Sequence, residues 1–266
     1  MFTFSRIIRS STASSFHLLE NNQLGLIRLS RREARNAITL QMCDTISYAA
    51  QQARSPSSQL KALLITGDSS VFCAGRDLKA SLDHSPAEAE EYLSRAIEAV
   101  KNLLEVPIPV VVSIEKVCLG LGLELALTGD IRVCGSSTQF GFPEIGLSLF
   151  PGCGGSVMLP ALLGNVSLAS DWILTGRRVL AQEAFQHGLV SRVVDDGSAF
   201  DEGLAIASQL VEKNRELLIK TKAVVKHDFN KKVKSEWMDI SEKLRREVGQ
   251  HPDHREALHR FVHRKR

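Results

Sequence analysis

The 266-residue chain has no apolar run long enough to span a bilayer. Its two longest, around residues 106–114 and 119–127, are broken by Pro107, Pro109 and Glu124. Both fall well short of the roughly 18 clean apolar residues that a helical span needs, which excludes an integral helical membrane protein. Cysteine is sparse: Cys43, Cys73, Cys118, Cys134 and Cys153 are odd in number, and no two form a C-x-x-C pair. A disulfide framework and a thiolate zinc site are disfavoured, and a reducing compartment fits better. Glycine (18) and proline (8) are too few for a collagen-like or low-complexity chain. The dinucleotide fingerprint fails because Gly120 and Gly122 are followed by Leu125 where a third glycine belongs. No Gly-Lys-Ser/Thr phosphate loop and no Gly-x-Ser-x-Gly nucleophile elbow occur.

What remains is an ordinary globular composition, 44% hydrophobic and 24% charged, in a chain long enough to bury a sizeable core. The net charge of +3 is unevenly spread. Residues 213–266 hold 16 Lys/Arg against 8 Asp/Glu, a surplus of +8, while the rest of the chain is at −5. A basic tail suits a polyanionic partner or simply a set of solvated helix faces. At the other end, Arg6, Arg9 and five serines stand among the first fifteen residues, with no acid before Glu20. Residues 1–15 therefore read as a mitochondrial presequence, which places the protein in the mitochondrial matrix.

Apolar periodicity predicts strands at residues 24–29, 61–66, 109–114, 130–134 and 189–194. Helical patterns fall at 39–54, 86–104, 122–127, 167–174 and 181–186, and from 199 onward only helices are expected. Alternating strands and helices followed by a helical tail argue an α/β core over residues 16–198 and a helical region over 199–266.

The chemistry concentrates in residues 71–155. VFCAGRDLK, CLGLGLE and FGFPEIG each join a strand to a turn of small residues and then a helix start. Free N–H groups at such turns attract anions, and two of them facing one point would make an oxyanion hole. Glu124 lies in an apolar run and Glu144 follows Phe142-Pro143. Each alone could be a helix-dipole or loop acid; as a pair beside anion-binding turns they suit acid–base chemistry on water and carbon. His251, His254, His259 and His263 lack an acidic or thiolate companion, so no metal site is expected. Cys73 reads as a packing residue.

With FCAGRDLK, PVVVSIEKVCLGLGLELALTGDIRV, FGFPEIGLSLFPGCGG, LTGRRVLAQEAFQHGLVSRVV and HREALHRFVHRKR in order, the chain from Leu24 resembles the enoyl-CoA hydratase/isomerase (crotonase) superfamily. The wording is close to mitochondrial enoyl-CoA and 3-methylglutaconyl-CoA hydratases. The resemblance implies a repeated ββα spiral core with a C-terminal helical trimerisation subdomain, in trimers or dimers of trimers. It implies that the N–H groups of Arg76 and Leu121 hold a thioester oxygen and that Glu124 and Glu144 are the catalytic pair, with Glu144 the proton donor. Residues 31–37 would form a CoA-side turn; Asp77, Leu78 and Lys79 would line the CoA side. The implied activity is hydration of a 2-enoyl-CoA, with Δ3,Δ2-isomerisation or RNA binding as alternatives, and with no cofactor beyond the CoA of the substrate. Two positions depart from the family pattern: leucine replaces glycine at 121, which would strain a turn of positive φ, and arginine replaces a small residue at 76.

Overall fold

The computed structural model describes residues 6–10 (backbone only), 13–68, 70–233, 244, 248 and 252–263. Trp237, His251 and the last three residues, 264–266, lie outside these.

A seven-stranded sheet is the frame. Its parallel centre is β3 (Leu24–Leu29), β4 (Ala62–Thr66), β5 (Val110–Ile114), β7 (Ile131–Gly135) and β10 (Arg192–Val194). β1 (Arg6–Ser10) and β2 (Ser14–Leu19) extend it antiparallel beyond β3. Parallel strands covered on both faces read as continuous apolar runs, because side chains alternate between two buried layers. In β4, Leu63 and Ile65 enter one core while Ala62 and Leu64 enter the other. The larger core packs α1 (Leu40–Arg54), α3 (Pro86–Leu104) and α4 (Leu121–Leu127) against the sheet. The smaller core is closed by α8 (Ala199–Val211), so the helical stretch from 199 begins as part of the α/β core.

Local signals explain the boundaries. Thr39 caps α1 by accepting the Met42 N–H, and Ser85 with Glu88 forms a reciprocal capping box ahead of Pro86 in α3. Buried Glu115 accepts the N–H groups of Gly197 and Ala199, which anchors the start of α8. After α8, α9 (Arg215–Val225) returns over the edge of the core. Lys222 and Lys226 on and just after α9 pair with Asp130 at 2.7 and 3.2 Å.

The N-terminal reading meets a structural fact. Residues 6–10, assigned to the presequence, pair with β2, and the boundary at residue 15 falls inside β2. Phe16, one residue beyond it, is fully buried.

Candidate active site

A second, three-stranded sheet builds the site: β6 (Val117–Leu119), β8 (Gln139–Gly141) and β9 (Val179–Leu180). Cys118 pairs with Phe140, and Leu119 with Gly141. On its other side β6 bridges Cys73: the Cys73 N–H donates to Val117 O and the Leu119 N–H to Cys73 O. The three motifs of the sequence therefore run side by side, and the turns that follow them leave from the same end.

The first two turns meet closely. Gly75 has φ +101, and a Cβ placed there would lie 3.0 Å from Leu119 O and 3.6 Å from the Leu121 nitrogen. The turn 74–76 is pinned from the far side by Ile38, whose N–H donates to Gly75 O. In that bridge the Arg76 N–H turns away from Ile38, and Leu121 is the first residue of α4. Neither N–H has an acceptor among the described residues. Two donors aimed from neighbouring turns can receive an oxyanion. The left-handed conformation feared for Leu121 is taken by Gly120 instead (φ +50), so leucine at 121 sits without strain and is buried.

Both glutamates come to this point. Glu124 sits in the first turn of α4, 2% exposed, and its Oε1 accepts the N–H groups of Cys153 at 2.8 Å and Gly155 at 2.9 Å. Two fixed donors orient the carboxylate. Glu144 belongs to a 3-10 turn, Pro143–Leu147. A Cβ at Gly120 would stand only 2.6 Å from Glu144 Oε1, so the glycine admits the carboxylate as well as the turn. Its Oε2 is buried with no hydrogen-bond partner. Burial first, then the nearby Glu124 charge, pushes the Glu144 carboxyl up to about 8, partly opposed by its own backbone N–H and by Arg178. Two neighbouring carboxyl groups in separated environments, one held by N–H donors and one raised toward neutrality, are an arrangement that acid–base chemistry can use.

On the side that the resemblance assigns to CoA, the structure qualifies the reading. Asp77 caps α2 (Leu78–Leu82) through the Ala80 N–H and accepts a 2.5 Å hydrogen bond from Arg31. Its carboxylate is thus engaged inside the protein, tying the 31–37 turn to the 74–76 turn. Leu78 opens α2, while Lys79 is exposed and has no ion-pair partner among the described residues. The C-terminal helix α10 (Pro252–Val262) packs on α2 and on the 143–147 turn, with His254 Nδ1 2.9 Å from Leu147 O.

Sequence reasoning did not single out Asn36, Cys153, Gly155 or Arg178. Asn36, fully buried, donates to Val71 O and Phe72 O and accepts the Arg31 N–H. A polar residue followed by Ala37-Ile38 was the available signal for a buried turn. The glycines of GCGG marked the loop that holds Glu124, without showing that its N–H groups would point there. All five cysteines are buried and none forms a disulfide, and burial pushes the Cys73 thiol up to about 12, as a packing role requires. His259 and His263 stack at 4.2 Å, and no group of three potential ligands forms among the described residues.

The sequence profile of the enoyl-CoA hydratase/isomerase family matches residues 20–266. The chain is 35% identical over 187 residues to a probable mitochondrial enoyl-CoA hydratase 2 of Arabidopsis thaliana, covering 70% of this chain and 62% of that protein. It is 31% identical over 249 residues to a probable enoyl-CoA hydratase of Mycobacterium bovis, covering 93% and 95%. The chain spans 62% of the length of the first two curated relatives it matches. An enoyl-CoA hydratase/isomerase crystal structure from Mycobacterium paratuberculosis superposes with a TM-score of 0.84 at 23% identity over 94% of this chain and 98% of that one, a likeness of fold. Together with the expected α/β architecture and the paired turns, these matches place the chain in the enoyl-CoA hydratase/isomerase family.

Proposed function

We propose that the chain is a hydro-lyase that adds water across the 2,3 double bond of a 2-enoyl-CoA thioester. The observation that carries the reading is the buried, unpartnered Glu144 Oε2 beside the anchored Glu124, next to two N–H groups without acceptors. The thioester oxygen takes both N–H groups, which draw electron density off the conjugated double bond. Glu124 orients and deprotonates water; the water oxygen bonds to the β-carbon. The π electrons pass to the thioester as an enolate, and Glu144 gives its proton to the α-carbon. One molecule of water has been consumed; Glu124 then holds the proton taken from water and Glu144 is ionised, and transfer of that proton from Glu124 to Glu144 restores the starting pair. Charge changes hands without oxidation, so the step calls for no redox cofactor, and the two N–H groups supply the electrophilic pull on the thioester oxygen. Each oxyanion donor is worth about 3 kcal/mol in such reactions.

Lys79 and the neighbouring basic tail suit the CoA phosphates. Relatives named as mitochondrial, including an enoyl-CoA hydratase of Pongo abelii at 29% identity, support a matrix location alongside the arginine- and serine-rich start. A trimer or a dimer of trimers is the assembly expected of the family, and Leu217, Val224 and Val225 on α9 are exposed apolar residues available for it. Purified protein assayed against matched 2-enoyl-CoA and 3-enoyl-CoA esters tests the activity. Loss of the conjugated enoyl absorbance with a 3-hydroxyacyl product supports hydration. Conversion of the 3-enoyl ester alone makes the chain an isomerase, and turnover of neither, with tight RNA binding at physiological salt, overturns the enzymatic reading.

A further inference from the structure

The two arginines that follow Gly176 meet different fates. Arg177 pairs with Asp171 of α6 (Val166–Thr175) at 2.6 Å and with Glu183 at 2.5 Å, so its charge is matched by its neighbours. Arg178 is an exposed residue, and its guanidinium makes no hydrogen bond or ion pair among the described residues. It stands one residue ahead of β9, and the pairing of Val179 with Phe140 sets it beside the end of β8. A Cβ at Gly141 would meet Arg178 Nη1 at 3.7 Å. A Cβ at Gly176 would lie 3.3 Å from Phe142 O and 3.7 Å from the Pro143 Cα. The segment 176–178 therefore runs along the strand end and turn that carry Glu144.

Glu144 is the one carboxylate whose charge Arg178 senses, and Arg178 is the one cation that Glu144 senses. The other charged groups around the turn are accounted for. Glu124 of α4 opposes Arg178 at Glu144. Asp171 of α6 is taken by Arg177, and His254 of α10 meets the turn at Leu147 O, while Asp253, Arg255 and Glu256 of that helix are exposed. Arg178 and Glu144 stay beyond ion-pair distance of each other, and Glu144 Oε2 keeps no partner.

We propose that Arg178 is a positioning residue for proton transfer at Glu144: without touching it, Arg178 steadies the anion that Glu144 becomes on giving up its proton, and so sets the upper end of the pH range in which the site works. The inference rests on the hydration reading above. An arginine in hydrogen-bond contact would hold Glu144 ionised from the start and remove the acid. With no cation nearby, a bare anion would be left beside Glu124 once the proton had gone, where an unpaired charge is costly. Standing between these extremes, Arg178 leaves Oε2 free to carry the proton and answers the charge as it develops. A nearby cation favours the ionised carboxyl, so removing Arg178 should raise the pH at which Glu144 loses its proton.

The test locates that pH in wild type, Arg178→Met, Arg178→Lys and, as a neighbour control, Arg177→Met. One readout is the alkaline limb of kcat/KM for hydration. The other needs no activity: the pH at which the melting temperature of each protein parts from that of the same protein carrying Glu144→Gln. We expect both to move up by about 0.5–1 unit in Arg178→Met, the low end for an opposite charge because solvent screens the pair. Arg178→Lys should stay within about 0.3 unit of wild type, since it keeps the charge. Arg177→Met should lower the melting temperature and leave both midpoints in place. Arg178→Gln replaces the methionine variant should that one fail to fold. The proposal is overturned if the charge-removing variant leaves both midpoints within about 0.2 unit of wild type, or if Arg178→Lys or Arg177→Met moves them as far, which would make the effect one of shape. If the wild type hydrates no ester, the hydration reading fails and this proposal with it; if it does and the midpoints stay put, the proposal alone fails.

Discussion

Glu144 is the residue whose environment makes the sharpest claims. Its carboxyl is raised from the ordinary 4.5 to about 8 in the fold. Between these values the folded chain holds a proton that the unfolded chain releases, so this group makes stability fall as pH rises across that window. Melting temperatures of wild type and Glu144→Gln, followed from pH 5 to pH 8, should diverge, with the variant gaining on the wild type at the alkaline end. Parallel curves would mean that Glu144 is not raised. In the proposed hydration this proton goes to the α-carbon, so kcat/KM for hydration should decline above about pH 8. Glu124→Gln removes the neighbouring charge, and the alkaline limb of its residual rate should shift to lower pH. Gly120→Ala tests the approach of the carboxylate: its Cβ would meet Glu144 Oε1 at 2.6 Å in a left-handed turn. We expect a loss of about 10²-fold in kcat with circular dichroism unchanged, because an ångström-scale displacement of a reacting group costs that much. Residue types were readable from the chain: Glu124 stood out as an acid in an apolar run. Its partners Cys153 and Gly155 did not, because backbone N–H groups carry no signature of where a loop will aim them.

At the scale of elements, β3, β4, β5 and β7 and the helices α1, α3 and α7 (Ala181–Gln186) follow the expected pattern within a residue, while β10 starts three residues later than the expected 189. Periodicity is strong where an element is long and buried on a defined face. The pieces that build the site were not foreseen as strands: β6, β8 and β9 are two or three residues long, too short to show a period, and they exist because the main sheet brings them together. β2 was hidden in a serine-rich stretch whose composition suggested a leader. Its Ser14 and Ser15 are nonetheless buried between β1 and β3. Asp130 clamps α9 to the core through Lys222 and Lys226, all three side chains 15% exposed or less. Burial pulls the Lys226 ammonium down to about 8 despite Asp130. Removing Asp130 leaves two cations facing the interior. Asp130→Ala should destabilise the chain by about 3 kcal/mol in urea unfolding, the low end for breaking a pair withdrawn from water. A loss below measurement error would show the clamp to be dispensable.

For the whole molecule, the +8 surplus of residues 213–266 is partly internal, since Lys222 and Lys226 are committed to Asp130 and Arg215 donates to Leu60 O. That reduces the free charge of the tail and leaves its remaining cations, with the exposed Lys79, for the CoA phosphates. If residues 1–15 are cut in mitochondria, β1 and the first two residues of β2 go with them, and the shortened β2 becomes the sheet edge. N-terminal sequencing of native protein decides this, and an intact Met1 on cytosolic material contradicts the matrix location. The central claim is that Glu124 and Glu144 act as one unit on water and a 2-enoyl-CoA. It is tested most directly by a double-mutant cycle of kcat for hydration with Glu124→Gln, Glu144→Gln and both. We expect each single change to lower kcat by about 10²–10⁴ and the double change to cost far less than the product of the two, because groups that share one step are not additive. Single losses of only a few-fold, or losses that multiply in the double variant, would contradict it.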